Sequence, residues 1–294
     1  MSDTEEKLMS ANSEILLTIK TQLQRMNPAQ LKVGRYILEN PERVVGMPIG
    51  HLAAECSVSE ATISRFVKFL GCVNYRAFQT EMAKNSVAGA DRIRGYTGVE
   101  STHTTEGVLQ TIFQANMQSL ADTLAIADIP ALEEAADMIV KRRKLVILAQ
   151  GRSTVTANSI RQRLYRLGID CASYSDPHEQ AVVTSLLGEE DVVMGISTFG
   201  RSRTLLKNLR FAASNGTSII GVSSYRGTPL ERVANIMLVA SSNEDASLGF
   251  EPSCSTISQM VLLDCLYILI TNRMREEAKQ CFRITCQAIE SERE

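Results

Sequence analysis

The 294-residue sequence holds only three histidines (His51, His103, His178), and its seven cysteines (Cys56, Cys72, Cys171, Cys254, Cys265, Cys281, Cys286) include no CxxC pair. So few imidazoles exclude a multi-His metal site, and scattered thiols of odd number support neither a zinc site nor a disulfide framework. No metal and no cofactor is therefore expected, and the thiols read as reduced, as in a cytoplasm. The most apolar run, Met260 to Thr271, is about 12 residues long, carries Asp264 and falls short of the roughly 20 needed to cross a bilayer. It reads as a buried helix. The acidic start, MSDTEEK, lacks the basic-then-apolar order of a secretion signal. Neither GxGxxG nor the P-loop GxxxxGK occurs, which disfavours a Rossmann dehydrogenase or a P-loop enzyme.

What is present is ordinary for a folded chain: 44% apolar and 22% charged residues exclude wholesale disorder and a collagen-like repeat. The length suits about two domains of about 150 residues each. A net charge of -2 argues against nucleic acid as a partner only until it is taken by segment. Lys20 to Lys84 contains nine Lys or Arg against five Asp or Glu, an excess of four positive charges.

That basic stretch is also where apolar residues recur at three- and four-residue spacing: Ile15, Ile19, Leu23; Leu31, Ile37, Leu38; Ile49, Leu52, Ala53; Ile63, Phe66, Val67, Leu70. An all-helical domain is predicted over residues 1–85. The period disappears from Ser86 to Thr105, which is rich in Gly, Ser and Thr and reads as a linker over 86–105. Beyond it, helices are predicted over Glu106 to Ala127 and Ile129 to Lys141, the second capped by Asp128 with Pro130 in its first turn. From Leu145, five short apolar runs (Leu145–Ala149, Cys171–Tyr174, Val192–Ile196, Ile219–Val222, Ile236–Val239) alternate with helix-length segments. Residues 106–294 are thus expected to form an αβα sandwich around a five-stranded parallel sheet, making the chain α/β with an N-terminal all-α domain.

Two segments carry candidate chemistry. In Met47 to Gly71, a helix from Ile49 to Cys56 precedes Ser57-Val58-Ser59, and Ser59 supplies a cap to a second helix. Small Ala53 lets the helices cross closely, while Leu52, Val58, Ile63 and Phe66 form their shared core. This is helix-turn-helix spacing. Ser57, Ser59, Glu60, Thr62 and Ser64, with Arg65 and Lys68 one turn on, are the candidate DNA-reading residues, and Arg76 and Lys84 can add backbone contacts. A helical hairpin that serves packing alone is the alternative.

In the second half, the first strand runs into Ala149-Gln150-Gly151-Arg152-Ser153 and a helix from Val155 to Leu167. The third runs into Ser197-Thr198-Phe199-Gly200-Arg201-Ser202 and a helix from Arg203 to Asn215. Turns of this kind at helix starts are anion sites, because unpaired N–H groups and the positive dipole end converge there. Two in one sheet would face one crevice. Gly151, Arg152, Ser153, Ser197, Thr198, Gly200, Arg201 and Ser202 are the ligand candidates; plain helix capping is the lesser alternative for the serines, and a solvated surface charge the equal alternative for Arg152 and Arg201. His178 and Glu251 join them, and His178 with Glu179 are the nearest candidates for the base an aldose-ketose isomerase needs.

These pieces resemble the RpiR family of bacterial transcriptional regulators, in which a helix-turn-helix domain is joined to a sugar isomerase (SIS) domain. The resemblance covers about Ile15 to Ala278. It is carried by LAAECSVSEATISRFVKFLG (Leu52 to Gly71), NYRAFQTEMA (Asn74 to Ala83), QGRSTVTAN (Gln150 to Asn158), YSDPHEQ (Tyr174 to Gln180) and ISTFGRSR (Ile196 to Arg203). It implies a regulator, usually a repressor of sugar-catabolic genes, that binds operator DNA and senses a phosphorylated sugar, with Ser153 in the first phosphate loop and Ser197 and Ser202 in the second. The chain departs from the family pattern at Ala149, where Gly is common, at Arg152, where a small residue is usual, and at Phe199, the middle Ser of the second loop. An altered ligand is implied. A homodimer or homotetramer is expected on a palindromic operator, with Thr256 to Thr271 and Glu106 to Ala127 as self-association surface. The alternative is a sugar-phosphate isomerase with a helical extension.

Overall fold

The computed structural model describes residues 14–85, 104–242 and 254–292. The predicted linker lies outside them except for its last two residues, as does Glu251. Chain contacts divide the protein into two compact units, parting between Ala125 and Ile126.

The first unit is helical: α1 (Glu14–Gln22), α2 (Pro28–Glu39), α3 (Pro41–Val44), α4 (Ile49–Glu55), α5 (Glu60–Phe69), α6 (Tyr75–Asn85) and α7 (Thr105–Ile126). Asn27 and Gln30 close a reciprocal capping box on α2, with Pro28 where its missing N–H costs nothing. Of the apolar positions picked out by their spacing, Ile15, Ile19, Ile37, Leu52, Ile63 and Phe66 form one core, joined by Val33 and Phe78, which the spacing did not mark. Nearly buried Asp122 of α7 faces Lys20 of α1 at 3.9 Å. The predicted boundary at 105/106 places α7 with the sheet, whereas chain contacts group it, up to Ala125, with the helical unit.

The second unit runs α8 (Ile129–Lys141), β1 (Lys144–Ala149), α9 (Ser153–Tyr165), β2 (Cys171–Tyr174), α10 (Pro177–Ser185), β3 (Asp191–Ile196), α11 (Arg203–Ser214), β4 (Ser218–Ser223), β5 (Ile236–Val239), α12 (Cys254–Met274) and α13 (Glu276–Glu290). The five strands are parallel in the order β2-β1-β3-β4-β5. Successive residues of β1 enter opposite layers: Leu145, Ile147 and Ala149 pack with α8, α9 and α12, while Val146 and Leu148 pack with α10 and α11. Burial on both faces explains why the strands read as unbroken apolar runs. Helix α12 spans 21 residues, longer than the 12-residue run that stands out in the sequence, and is long and apolar enough by composition to cross a membrane. Its Leu262, Leu263, Leu266 and Ile270 are core residues of this unit.

Asp191 opens β3 fully buried, yet accepts two bonds from Arg143, Nε at 3.0 Å and Nη2 at 2.7 Å, and one from the Gly188 N–H at 3.0 Å. Burial pushes its pKa up, but the Arg143 guanidinium and the Gly188 N–H outweigh that and hold the carboxyl below its ordinary value. A depressed folded-state pKa gives stability that is present above the unfolded value, about 3.9, and is lost as pH falls through the folded value. Asp191→Asn is expected to cost about 1–3 kcal/mol at neutral pH and to flatten the loss of stability below about pH 4, as read from denaturant midpoints across pH.

Candidate functional site

The helix-turn-helix is built by α4 and α5. Leu52, Ala53 and Cys56 of the first side meet Ile63, Phe66 and Val67 of the second, with Val58 half-buried against them. Burial, then the Glu55 carboxylate, push the Cys56 thiol up to about 11, so it serves as a small protonated core group. Ser57 holds the turn at φ 52, the left-handed region that L residues enter at a cost. The Ser59 hydroxyl accepts from the Thr62 N–H at 3.2 Å, which is the predicted cap.

Three of the candidate reading residues, Ser59, Thr62 and Arg65, are linked to one another. Ser59 and Thr62 hydroxyls lie 3.0 Å apart, and Arg65 Nη2 donates to Thr62 Oγ1 at 3.3 Å. Arg65, Lys68, Ser57, Ser59 and Glu60 are exposed, whereas Thr62 and Ser64 are half-buried. Glu60 leans toward α4: a Cβ built on Gly50 would sit 2.8 Å from its Oε1. Its carboxylate is thereby drawn toward the start of the first helix, where negative charge is favoured. Arg76 is exposed on α6, and of Lys84 only its place in that helix is described.

Spacing gave no notice of Tyr75 and Gln79. Gln79 accepts from the Gly46 N–H at 2.7 Å and donates to the carbonyls of Val44 at 2.9 Å and Met47 at 3.2 Å, while the Tyr75 hydroxyl donates to Met47 O at 2.8 Å. Together they fix the loop that leads into α4.

In the second unit, β1 and β3 are neighbours, and the chain leaves them in opposite directions across the sheet: through α9 to β2, and through α11 to β4. This is a topological switch point, where open α/β sheets leave a crevice beyond the strand ends. Ala149 is paired with Ile196, so the turns 150–152 and 197–202 emerge side by side. They are tied together, because the Ser202 hydroxyl donates to Gln150 Oε1.

Each turn contains a glycine in the left-handed region. Gly151 sits at φ +56 and Gly200 at φ +61, and a Cβ on Gly200 would lie 2.5 Å from the Thr228 side chain. Ser153 is the first residue of α9, and Ser202 stands at the cap position of α11; both are half-buried. Neither helix has a side-chain cap. The contrast within the unit is sharp: Asp128 caps α8 through the Ala131 N–H at 3.1 Å, and Asp176 caps α10 through the N–H groups of His178 and Glu179. Capped and uncapped starts alternate from α8 to α11, and the two uncapped ones of these four begin at the switch point; α13 also starts without a side-chain cap, at Arg275. The Thr154 and Val155 amides of α9 donate to the carbonyls of Gly151 and Arg152, each at 3.1 Å, so what this start offers an anion is chiefly the positive end of the helix dipole.

The remaining candidates fall around this pair. Arg152 occupies the cap position of α9 and donates from Nη2 to Ser255 Oγ at 3.3 Å. Thr198 is buried, and its carbonyl accepts from Ser223 Oγ at 3.0 Å and Ser224 N at 2.9 Å, which gives it a structural part in the second turn. Ser197 is half-buried and Arg201 exposed. Phe199 stacks on Tyr225 with ring centroids 5.6 Å apart. His178 is exposed on the first turn of α10, after edge strand β2. One residue beneath this pair was not marked by the sequence: fully buried Gln180 donates from Nε2 to Ala149 O at 3.1 Å and Tyr174 O at 2.9 Å, and Asn208 Nδ2 of α11 lies 3.5 Å from its Oε1.

Comparison with known proteins agrees with both halves. The rpiR-family helix-turn-helix domain matches residues 13–88, and the SIS domain matches residues 138–269. The chain belongs to the RpiR family. Among relatives of this RpiR-family regulator, HexR of Pseudomonas aeruginosa is 27% identical over 88% of this chain and 90% of its own. HexR of Escherichia coli is 24% identical over 95% of each. Both are named as HTH-type transcriptional regulators. The Vibrio vulnificus NanR protein, solved in complex with ManNAc-6P, shares the fold, with a TM-score of 0.60 at 21% identity over 94% of this chain and 97% of its own.

Proposed function

We propose that this RpiR-family regulator seats the phosphate of a sugar phosphate on the turns 150–153 and 197–202, and that occupancy changes the affinity of α5 for operator DNA. The observation that carries the reading is the pair of uncapped helix starts at the switch point, beside two neighbours capped by aspartate. Gly151, Ser153, Ser197, Gly200 and Ser202 form the seat, with Arg152 and Arg201 at its margins and His178 toward the sugar; Glu251, also a candidate for the sugar, lies outside the described residues. Thr198 holds the second turn in shape. NanR, with its bound ManNAc-6P, supports the ligand class. A ligand that favours one arrangement of the protein shifts the population toward it, which is the whole of the coupling required.

The regulator acts in the cytoplasm as a homo-oligomer, as a repressor of carbohydrate genes, and not as an enzyme. Exposed Leu109, Phe113, Met117 and Leu124 along α7, and Val261 and Ile268 on α12, supply apolar surface for self-association. Two copies place two reading helices on half-sites about one DNA turn apart. The test is a thermal-shift screen of hexose, pentose and hexosamine phosphates against the unphosphorylated sugars. A true effector at 100 times its Kd raises stability by about 2.7 kcal/mol. Protection by the free sugars alone would remove the phosphate seat from the account. Turnover of a sugar phosphate, lost in His178→Ala or Glu179→Ala, would replace the sensor by an isomerase.

A further inference from the structure

We propose that Gln150 sets the affinity threshold of the effector site: its amide holds the Ser202 hydroxyl that the phosphate needs, and every ligand must overcome that bond. The inference rests on the phosphate seat proposed above. Ser202 has the extended backbone of a cap residue, φ -60 and ψ 110, but its side chain makes no cap bond. Its single proton goes instead to Gln150 Oε1 on the facing turn. An ionised phosphate oxygen accepts, and can take that proton only by breaking the bond.

The side chain that holds Ser202 is itself held in place. Gln150 follows Ala149, whose carbonyl is gripped by buried Gln180, and Gln180 is in turn approached by Asn208 of α11. The end of β1 is thus tied to α11 twice, to mid-helix Asn208 through Gln180 and to the start of the helix through Gln150. Binding an anion opens the tie through Gln150 alone. The cost falls equally on every phosphate-bearing ligand, so it leaves the ratio of affinities unchanged. What it changes is the outcome at cellular concentrations: a sugar phosphate makes up the loss through its sugar contacts, whereas abundant free phosphate has no such contacts. The tie therefore keeps the seat clear for the effector.

Inorganic phosphate is the probe, titrated calorimetrically into the full chain alongside the wild type. Gln150→Leu removes the competing acceptor and is expected to bind phosphate about 3- to 10-fold more tightly, the range that one net hydrogen bond supplies. Gln150→Glu grips the hydroxyl harder and repels the anion, so it is expected to bind at least about 10-fold more weakly. Gln150→Asn, a shorter amide that cannot span the gap, repeats the Leu result should Leu fail to fold, and unfolding midpoints without phosphate check each variant. If Gln150→Leu and Gln150→Asn bind phosphate no better than wild type while wild type binds it, the seat stands and the role given to Gln150 is overturned. If no variant and no wild-type sample binds phosphate or any sugar phosphate, the seat falls and this inference with it.

Discussion

Replacing Ser202 by aspartate is expected to make the protein more stable and blind to sugar phosphates. Helix α11 starts without a side-chain cap, and an aspartate at that position meets its leading amides as Asp128 and Asp176 meet those of α8 and α10. Capping of this kind contributes about 0.5–2 kcal/mol, and a negative charge at the positive end of the helix adds about 0.3–1 kcal/mol. For the ligand the same carboxylate is a fixed rival: it occupies the amides and stands beside the incoming phosphate. Two like charges about 4 Å apart at an effective dielectric near 20 repel by about 4 kcal/mol, nearly a thousandfold in Kd. Denaturant unfolding and calorimetric titration read the two effects separately. A variant that gains stability and still binds phosphosugars would show that the anion does not sit at this helix.

Arg65→Ala combined with Lys68→Ala is expected to weaken DNA binding by roughly 10- to 100-fold at fixed salt, the loss of two charge-assisted contacts. Both side chains are exposed on α5, so the fold is not expected to change. The salt dependence separates a charge that meets phosphate from one that stabilises the domain. Each lost phosphate contact lowers the slope of log K against log salt by about 0.9, so the double variant should fall by about 1.8. If Arg65 reaches a base edge, its single replacement also relaxes sequence preference at one position by about 1–3 kcal/mol, whereas Lys68→Ala weakens all sequences alike. Phosphosugar binding should be untouched in every case.

Local patterns carried much of this molecule. The strand cores could be placed because parallel strands buried on both faces are unbroken in Val, Ile and Leu, as in β1 and β3. The cap at Ser59 and the close crossing at Ala53 follow from short-range sterics and hydrogen bonding, so α4 and α5 were legible too. What stayed hidden was nonlocal. Strand order decides that β1 and β3 share an edge, and no residue in either strand announces its neighbour. Ser202 looks like a cap in sequence; only the facing turn shows its hydroxyl committed to Gln150, 52 residues away. Gln79, Gln150 and Gln180 gave no signal, because one amide reaching distant carbonyls or hydroxyls leaves no periodicity behind. Arg152 marked a departure, but its reach toward Ser255 depends on where α12 begins.

The central claim is that a ligand held by one unit changes how tightly the other grips DNA, and operator affinity measured with and without effector tests it most directly. Duplexes selected from a random pool on the full-length protein supply the operator. Fluorescence anisotropy then follows its binding as the sugar phosphate that best protects the protein from heat is added. The account predicts a two-half-site duplex whose Kd moves by about 5- to 150-fold with effector, the usual span of such coupling, and a Ser202→Asp protein whose Kd does not move. An operator affinity indifferent to a sugar phosphate that demonstrably binds, or no sequence-selective complex at all, would contradict it.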